Sequence, residues 1–213
     1  MKPLDQCQLY TFVDTGYLRG RDPIEIARQL CAGGSDLIQF RAKEWPQERI
    51  AQTGAALLAV TKEYGFRLVI NDHWRIASDL GADLCHLGQE DFFEAGHRCV
   101  SELPVGASCP GLGFSTHSPD QAFRAISAGA SYIAVGPVFP TRTKPNAPAV
   151  TLEYVAWAAR NIQVPWFAIG GINLSNIREV RTAGAARICV VSAILNEQDI
   201  AGACRRFRAA LSS

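Results

Sequence analysis

A single (β/α)8 barrel, the TIM-barrel class, is the fold this 213-residue sequence predicts, and three observations predict it. The first is an internal echo: GGSDLIQFR from Gly33, GADLCHLG from Gly81, GASYIAVG from Gly129 and GAARICVV from Gly184. In each, the glycine suits the left-handed turn that closes a helix, and the apolar run after it suits a strand covered on both faces. The repeats lie about 50 residues apart, which is room for two β/α units per step. The second is a set of apolar runs in the gaps, LYTFV at Leu9, RLVIN at Arg67, LGFS at Leu112 and PWFAIG at Pro165, bringing the strands to eight. The third is helical periodicity between strands. Ile200, Ala203, Cys204, Phe207 and Leu211 form one buried stripe, and Leu152, Val155, Ala156 and Ala159 form another. Ser118-Pro119-Asp120-Gln121 adds a helix start, a Ser-to-Gln capping box with proline in the first turn. An open doubly wound sheet is the competing arrangement, but no GxGxxG turn follows the first strand.

Composition narrows the function. With 48% apolar and 19% charged residues, the chain is expected to fold as one domain over residues 1–213. A net charge of +1 gives no broad basic surface, so nucleic acid and acidic membranes are not expected partners and any anion must be held locally. Seven cysteines without a CxxC pair, and no signal peptide, point to reduced thiols in the cytoplasm and to neither a disulfide framework nor a zinc site. The apolar runs are well short of the roughly 18 to 20 residues a membrane helix needs.

Barrel active sites gather at the C-terminal ends of the strands, and the unusual polar residues of this sequence fall there. Strand two ends Gln39-Phe40-Arg41-Ala42-Lys43, whose alternation sends Gln39, Arg41 and Lys43 to one side. Either cation alone would pass for a solvated charge; three same-facing polar groups point to an anion site. Strand three ends Asn71-Asp72, and strand four runs into His86-Leu87-Gly88-Gln89-Glu90-Asp91. Two carboxylates from adjacent strand ends are how Mg²⁺ is often held, with water and substrate phosphate completing the shell. A helix cap at Asp72 and a first-turn acid at Asp91 are equally good readings of each residue alone. Glu90 is a weaker neighbour, and His86 reads as a hydrogen-bonding residue of the barrel interior.

Strand five ends Ser115-Thr116-His117, where a hydroxyl beside a helix start suits an anion, although Ser115 could equally cap the turn. Strand six leads into Gly136-Pro137-Val138-Phe139-Pro140-Thr141-Arg142-Thr143-Lys144, a loop stiffened by prolines and carrying hydroxyls and cations. Such a loop is built to recognise something. The last two strands end Ala168-Ile169-Gly170-Gly171-Ile172 and Val190-Val191-Ser192, where barrels often bind phosphate through backbone N–H groups. Two anion sites on one rim imply two phosphorylated substrates or one long one.

These motifs together resemble the thiamine phosphate synthase family over nearly the whole chain, from Leu9 to about Asp199. QFRAK is similar to its Q-x-R-x-K, INDHWRIASDLGAD to its I-N-D helix segment and GPVFPTRTK to its G-P-x-x-P-T-x-T-K loop; HLGQED is the same string, and AIGGI and VVS complete the pattern. The resemblance implies a transferase that joins a hydroxymethylpyrimidine diphosphate to hydroxyethylthiazole phosphate with Mg²⁺, releasing pyrophosphate through a dissociative mechanism. It further implies that Gln39, Arg41, Lys43, Asn71, Ser115 and Lys144 hold the pyrimidine diphosphate, that Asp72 and Asp91 ligate the metal, and that Thr141, Arg142, Thr143, Gly171, Val191 and Ser192 cradle the thiazole phosphate. Arg41, Lys43 and Lys144 would act catalytically by stabilising the departing charge. Neither a cysteine nor His117 is assigned a covalent role. Departures are small: Ala42 replaces a common acid, Val13 replaces a common threonine before Asp14, and GASCPG at Gly106 to Gly111 is an altered loop. Two rival readings are a thiazole tautomerase of the same superfamily, with His117 as acid or base, and a non-catalytic sensor of thiamine phosphates. The full leaving-group cluster disfavours both.

Overall fold

Each run of apolar residues forms a strand, and in the computed structural model the eight strands close into a parallel barrel in the order β1 to β8. They are β1 (Leu9–Asp14), β2 (Leu37–Arg41), β3 (Arg67–Asn71), β4 (Leu84–Gly88), β5 (Gly111–Thr116), β6 (Tyr132–Val135), β7 (Trp166–Ile169) and β8 (Ile188–Cys189). The structure describes residues 1–103, 110–141 and 149–212. Around the barrel run α1 (Pro23–Ala32), α2 (Gln47–Glu63), α3 (Trp74–Leu80), α4 (Gln89–Glu94), α5 (Pro119–Ser127), α6 (Thr151–Asn161), α7 (Ile177–Thr182), α8 (Ser192–Leu195) and α9 (Ile200–Ser212). None of the described helices is long and apolar enough to cross a membrane.

The glycine echo has the backbone it requires. Gly34, Gly81, Gly129 and Gly184 all have positive φ, and in each case the residue after the glycine donates its N–H five residues back into the helix: Ser35 to Leu30, Ala82 to Ala77, Ala130 to Ala125, Ala185 to Val180. This is the Schellman closure, and it turns the chain directly into the next strand. At α5, Ser118 caps the helix by accepting from the N–H of Gln121, with Pro119 in the first turn. The return bond differs from a standard capping box, because Gln121 reaches one residue further back and accepts from His117 N–H at 2.7 Å.

Helix α9 buries the stripe expected of it, Ile200, Ala203, Cys204, Phe207 and Leu211. Helix α6 does not. Its buried residues are Tyr154, Val155 and Ala158, while Ala159 is exposed and Ala156 only half-buried. Tyr154 rotates the stripe: its hydroxyl is hydrogen-bonded to Thr116 Oγ1 and to Ser118 O, both at 2.8 Å, and draws the helix onto β5. Inside the barrel, the rings of Tyr10, Tyr132 and Phe167 meet edge to face with centroids 5.3 to 5.9 Å apart. They plug the barrel interior beneath the cavity, and of the three Tyr10 reaches its wall.

Candidate active site

A cavity opens at the C-terminal ends of the strands, and every described residue chosen from the sequence lines it: Gln39, Arg41, Lys43, Asn71, Asp72, Asp91, Ser115, Thr141, Gly171, Val191 and Ser192. Arg142, Thr143 and Lys144 lie outside the described residues. Period-two alternation brings Gln39, Arg41 and Lys43 to the cavity, while Phe40 and Ala42 are buried. Parallel pairing supplies the rest, setting Asn71 beside His86 and Gly88 beside Ser115.

Arg41 is already paired with a carboxylate of the neighbouring strand. Its Nη1 donates to Asp14 Oδ2 at 2.8 Å, because β1 and β2 pair with Asp14 opposite Arg41. Asp14 is almost wholly buried, and its other oxygen accepts from Gly16 N–H at 2.9 Å. The carboxylate therefore aims the guanidinium and offsets its charge, leaving further N–H donors for a ligand. Lys43 has no hydrogen-bond or ion-pair partner among the described residues. Asp14 was missed, although it continues the inward phase of Tyr10 and Phe12 along β1.

Both carboxylates line the cavity. Asp72 does not cap α3, whose N-cap is His73 without a side-chain bond. It takes a left-handed backbone, φ +64°, with its N–H donating to His86 O at 2.9 Å. A non-glycine residue in that region is held there by its surroundings. Asp91 sits in the first turn of α4, as its simpler reading had it, and also lines the cavity. A Cβ on Gly88 would come within 2.6 Å of Asp91 Oδ2, so the glycine makes the cradle in which this carboxylate lies. Neither Asp72 nor Asp91 has a side-chain partner among the described residues. No group of three or more metal-ligating His, Cys, Asp or Glu side chains occurs among those residues. Two oxygen donors of this kind fit Mg²⁺, which keeps water and takes substrate phosphates. Glu90 is turned away: its Oε1 accepts from Gln121 Nε2 at 3.1 Å at the surface.

On the opposite side, the loop after β6 is laced to the end of β7. Val138 N–H donates to Ile169 O at 2.8 Å and Phe139 N–H to Gly170 O at 3.1 Å. Gly170 and Gly171 both have positive φ, and a Cβ on Gly171 would stand 2.8 Å from Phe139 Cβ and 2.9 Å from Pro140 O. These glycines are thus needed for packing of the chain on itself, beyond any approach of a ligand. Asn176 and Asn173 donate side-chain N–H to Gly171 O at 2.9 and 3.3 Å and fix that peptide. The N–H groups of Gly171, Ser192 and Ala193 have no acceptor among the described residues.

Buried polar groups complete the floor. Gln39 Nε2 donates to Tyr10 OH at 2.6 Å, the Tyr10 and Tyr132 hydroxyls bond at 2.9 Å, and His86 bonds Tyr132 OH through Nδ1 and Ser115 Oγ through Nε2, both at 3.0 Å. His86 is the interior hydrogen-bonding residue expected, and Ser115 caps no turn. Burial pushes both phenols well above the ordinary tyrosine value, so they stay protonated. His117 Nδ1 is bonded to Gly136 O, and the ring borders the cavity.

The fold and this rim define a class, a (β/α)8 barrel whose strand ends gather charged and polar side chains around one cavity. The family follows from comparison with known proteins: the thiamine monophosphate synthase family model matches residues 9–194, and the chain belongs to that family, transferases of thiamine biosynthesis. It is 44% identical to a thiamine-phosphate synthase of Thermus thermophilus over 83% of each chain. It is 34% identical to that of Halalkalibacterium halodurans over 94% of this chain and 93% of the relative. A solved thiamine phosphate pyrophosphorylase from Pyrococcus furiosus superposes with TM-score 0.84 at 30% identity, covering 98% of this chain and 97% of the other.

Proposed function

We propose that this chain condenses 4-amino-2-methyl-5-hydroxymethylpyrimidine diphosphate with hydroxyethylthiazole phosphate, giving thiamine phosphate and pyrophosphate with Mg²⁺ as cofactor. One observation carries the reading. A single cavity is bordered on one side by Gln39, Arg41, Lys43, Asn71, Asp72, Asp91 and Ser115, and on the other by Thr141, Gly171, Val191 and Ser192. The first set suits a diphosphate with its metal; the second suits a monophosphate.

In the reaction, the bond from the pyrimidine methylene carbon to the diphosphate oxygen breaks, and the oxygen keeps the electron pair. The thiazole nitrogen then gives its lone pair to the methylene cation. Negative charge grows on the leaving group, so Arg41 and Lys43 stabilise the transition state more than the ground state. Lys144 is assigned the same role from the family motif. Asp14 keeps Arg41 oriented at the leaving group, which spares reorganisation during bond breaking. Asp72 and Asp91 would hold Mg²⁺, which supplies charge neutralisation at the diphosphate when bound. The N–H groups of Gly171, Ser192 and Ala193, which have no acceptor among the described residues, would receive the thiazole phosphate together with the Ser192 hydroxyl. Thr141 borders the cavity beside them, and Arg142 and Thr143 are assigned to the same phosphate from the family motif. Ordering of the two substrates in one cavity provides the rest of the rate.

The reading also takes the enzyme to work in the cytoplasm on small molecules alone, supported by the free thiols of the six described cysteines. The test is product formation from the two purified substrates with and without Mg²⁺. Thiamine phosphate should form only with a divalent metal, and Asp72→Ala and Asp91→Ala should each lose most turnover while remaining folded. No product with any divalent metal would overturn the synthase reading, and near-normal rates in both variants would overturn the metal assignment.

A further inference from the structure

Tyr132 never reaches the cavity, yet it sits at the middle of a hydrogen-bond chain whose two ends do. The chain runs Gln39, Tyr10, Tyr132, His86, Ser115, crossing the barrel interior from β2 to β5. Tyr132 is wholly buried and is absent from the cavity wall, whereas Gln39, Tyr10, His86 and Ser115 border it. Space for its ring is made by Gly113, which pairs with both His86 and Tyr132; a Cβ there would lie 2.0 Å from Tyr132 Cζ. An inward tyrosine over an inward glycine is a fitted pair.

We infer that Tyr132 is a positioning residue that sets the direction of this chain and so makes Ser115 a hydrogen-bond donor into the cavity. The direction follows from counting hydrogens. Gln39 Nε2 donates to the Tyr10 oxygen, so the Tyr10 hydrogen needs another acceptor, and the Tyr132 oxygen is the one bonded to it. A buried hydroxyl without an acceptor is disfavoured, which selects donation from Tyr10 to Tyr132. The Tyr132 hydrogen is then given to His86 Nδ1, which must carry a lone pair. Neutral His86 therefore bears its proton on Nε2 and donates it to Ser115 Oγ. Ser115 accepts there, and its own hydrogen is left to point at a ligand. Reversal of the chain would consume that hydrogen on His86 and leave Ser115 presenting lone pairs to an anion.

The inference rests on the reading that Ser115 faces the diphosphate, and it separates from that reading experimentally. The tautomer is measured in the free wild-type protein by ¹⁵N NMR of the histidine ring, with His86→Asn to assign the signals. Neutral His86 protonated on Nε2 is expected; protonation on Nδ1 overturns the inference whether or not the chain makes thiamine phosphate. Tyr132→Phe keeps the ring and removes the hydroxyl. It should lower kcat/KM for the pyrimidine diphosphate about tenfold, the worth of a hydrogen bond or two, and leave KM for hydroxyethylthiazole phosphate within about twofold. In a Ser115→Ala background the same substitution should cost less than about twofold, since residues acting through one another are not additive. Costs that multiply, or equal rises in both KM values, would show a merely structural tyrosine. Wild-type turnover remains the separate measure of the synthase reading.

Discussion

Gly88 carries no side chain because Asp91 uses the space: an added methyl would stand 2.6 Å from the Asp91 carboxylate oxygen, inside van der Waals contact. Its φ is an ordinary −65°, so alanine could adopt the backbone there and only the carboxylate would have to yield. Gly88→Ala is therefore expected to move Asp91 off its position without unfolding the barrel. The Mg²⁺ concentration for half-maximal activity should rise about tenfold, the effect of disturbing one metal-ligand geometry. A Mg²⁺ titration of initial rate checks this, and an unchanged requirement would remove Asp91 from the metal site. Asp14 shows the converse case at the same scale. Almost wholly buried, it has one oxygen on Arg41 and one on Gly16 N–H, so it works by fixing another residue. In the sequence it was a polar end to an apolar run; its partner became visible only when strand register set it opposite Arg41.

Whole elements are aimed by small residues between them. The loop after β6 reaches the cavity because Gly170 and Gly171 let it lie on the end of β7, and Asn173 and Asn176 hold the Gly171 peptide in place. Gly171→Ala would add a left-handed strain of roughly 1 to 2 kcal/mol and press on Phe139 and Pro140. The melting temperature should fall on the order of 5 °C, and KM for hydroxyethylthiazole phosphate should rise more than KM for the pyrimidine diphosphate. Calorimetry and separate saturation curves give both numbers; a selective rise in the pyrimidine KM would place this loop at the wrong substrate. Strands and helix closures were legible in the sequence because both are local: buried parallel strands are apolar runs, and a left-handed closure wants glycine. The stripe of α6 was not, since a tertiary bond from Tyr154 to Thr116 turned the helix away from its simplest apolar face. Nor was the chain through Tyr10 and Tyr132, because a tyrosine in an apolar strand reads as core until its hydroxyl has a partner.

At the scale of the molecule, the rim was legible because polar residues interrupt apolar strands there, and barrel geometry gathers strand ends into one place. What only the closed barrel shows is how its buried thiols are kept neutral. Burial raises the thiols of the core: Cys7 to about 11, Cys31 and Cys204 to about 12, with Cys85 and Cys189 also driven up. In the unfolded chain each would ionise near its ordinary value of 9.0. Above that pH the unfolded state releases protons that the folded state still holds, so the balance moves toward unfolding. The stabilising contribution is complete below pH 9 and is lost progressively as pH rises through 11 to 12. Urea unfolding at pH 8 and pH 10 is expected to show a lower midpoint at pH 10. Cys204→Ala should shrink that difference, because one of the groups that drives it is gone. Equal midpoints at the two pH values, or an undiminished difference in the variant, would mean that the thiols are not held neutral by the core.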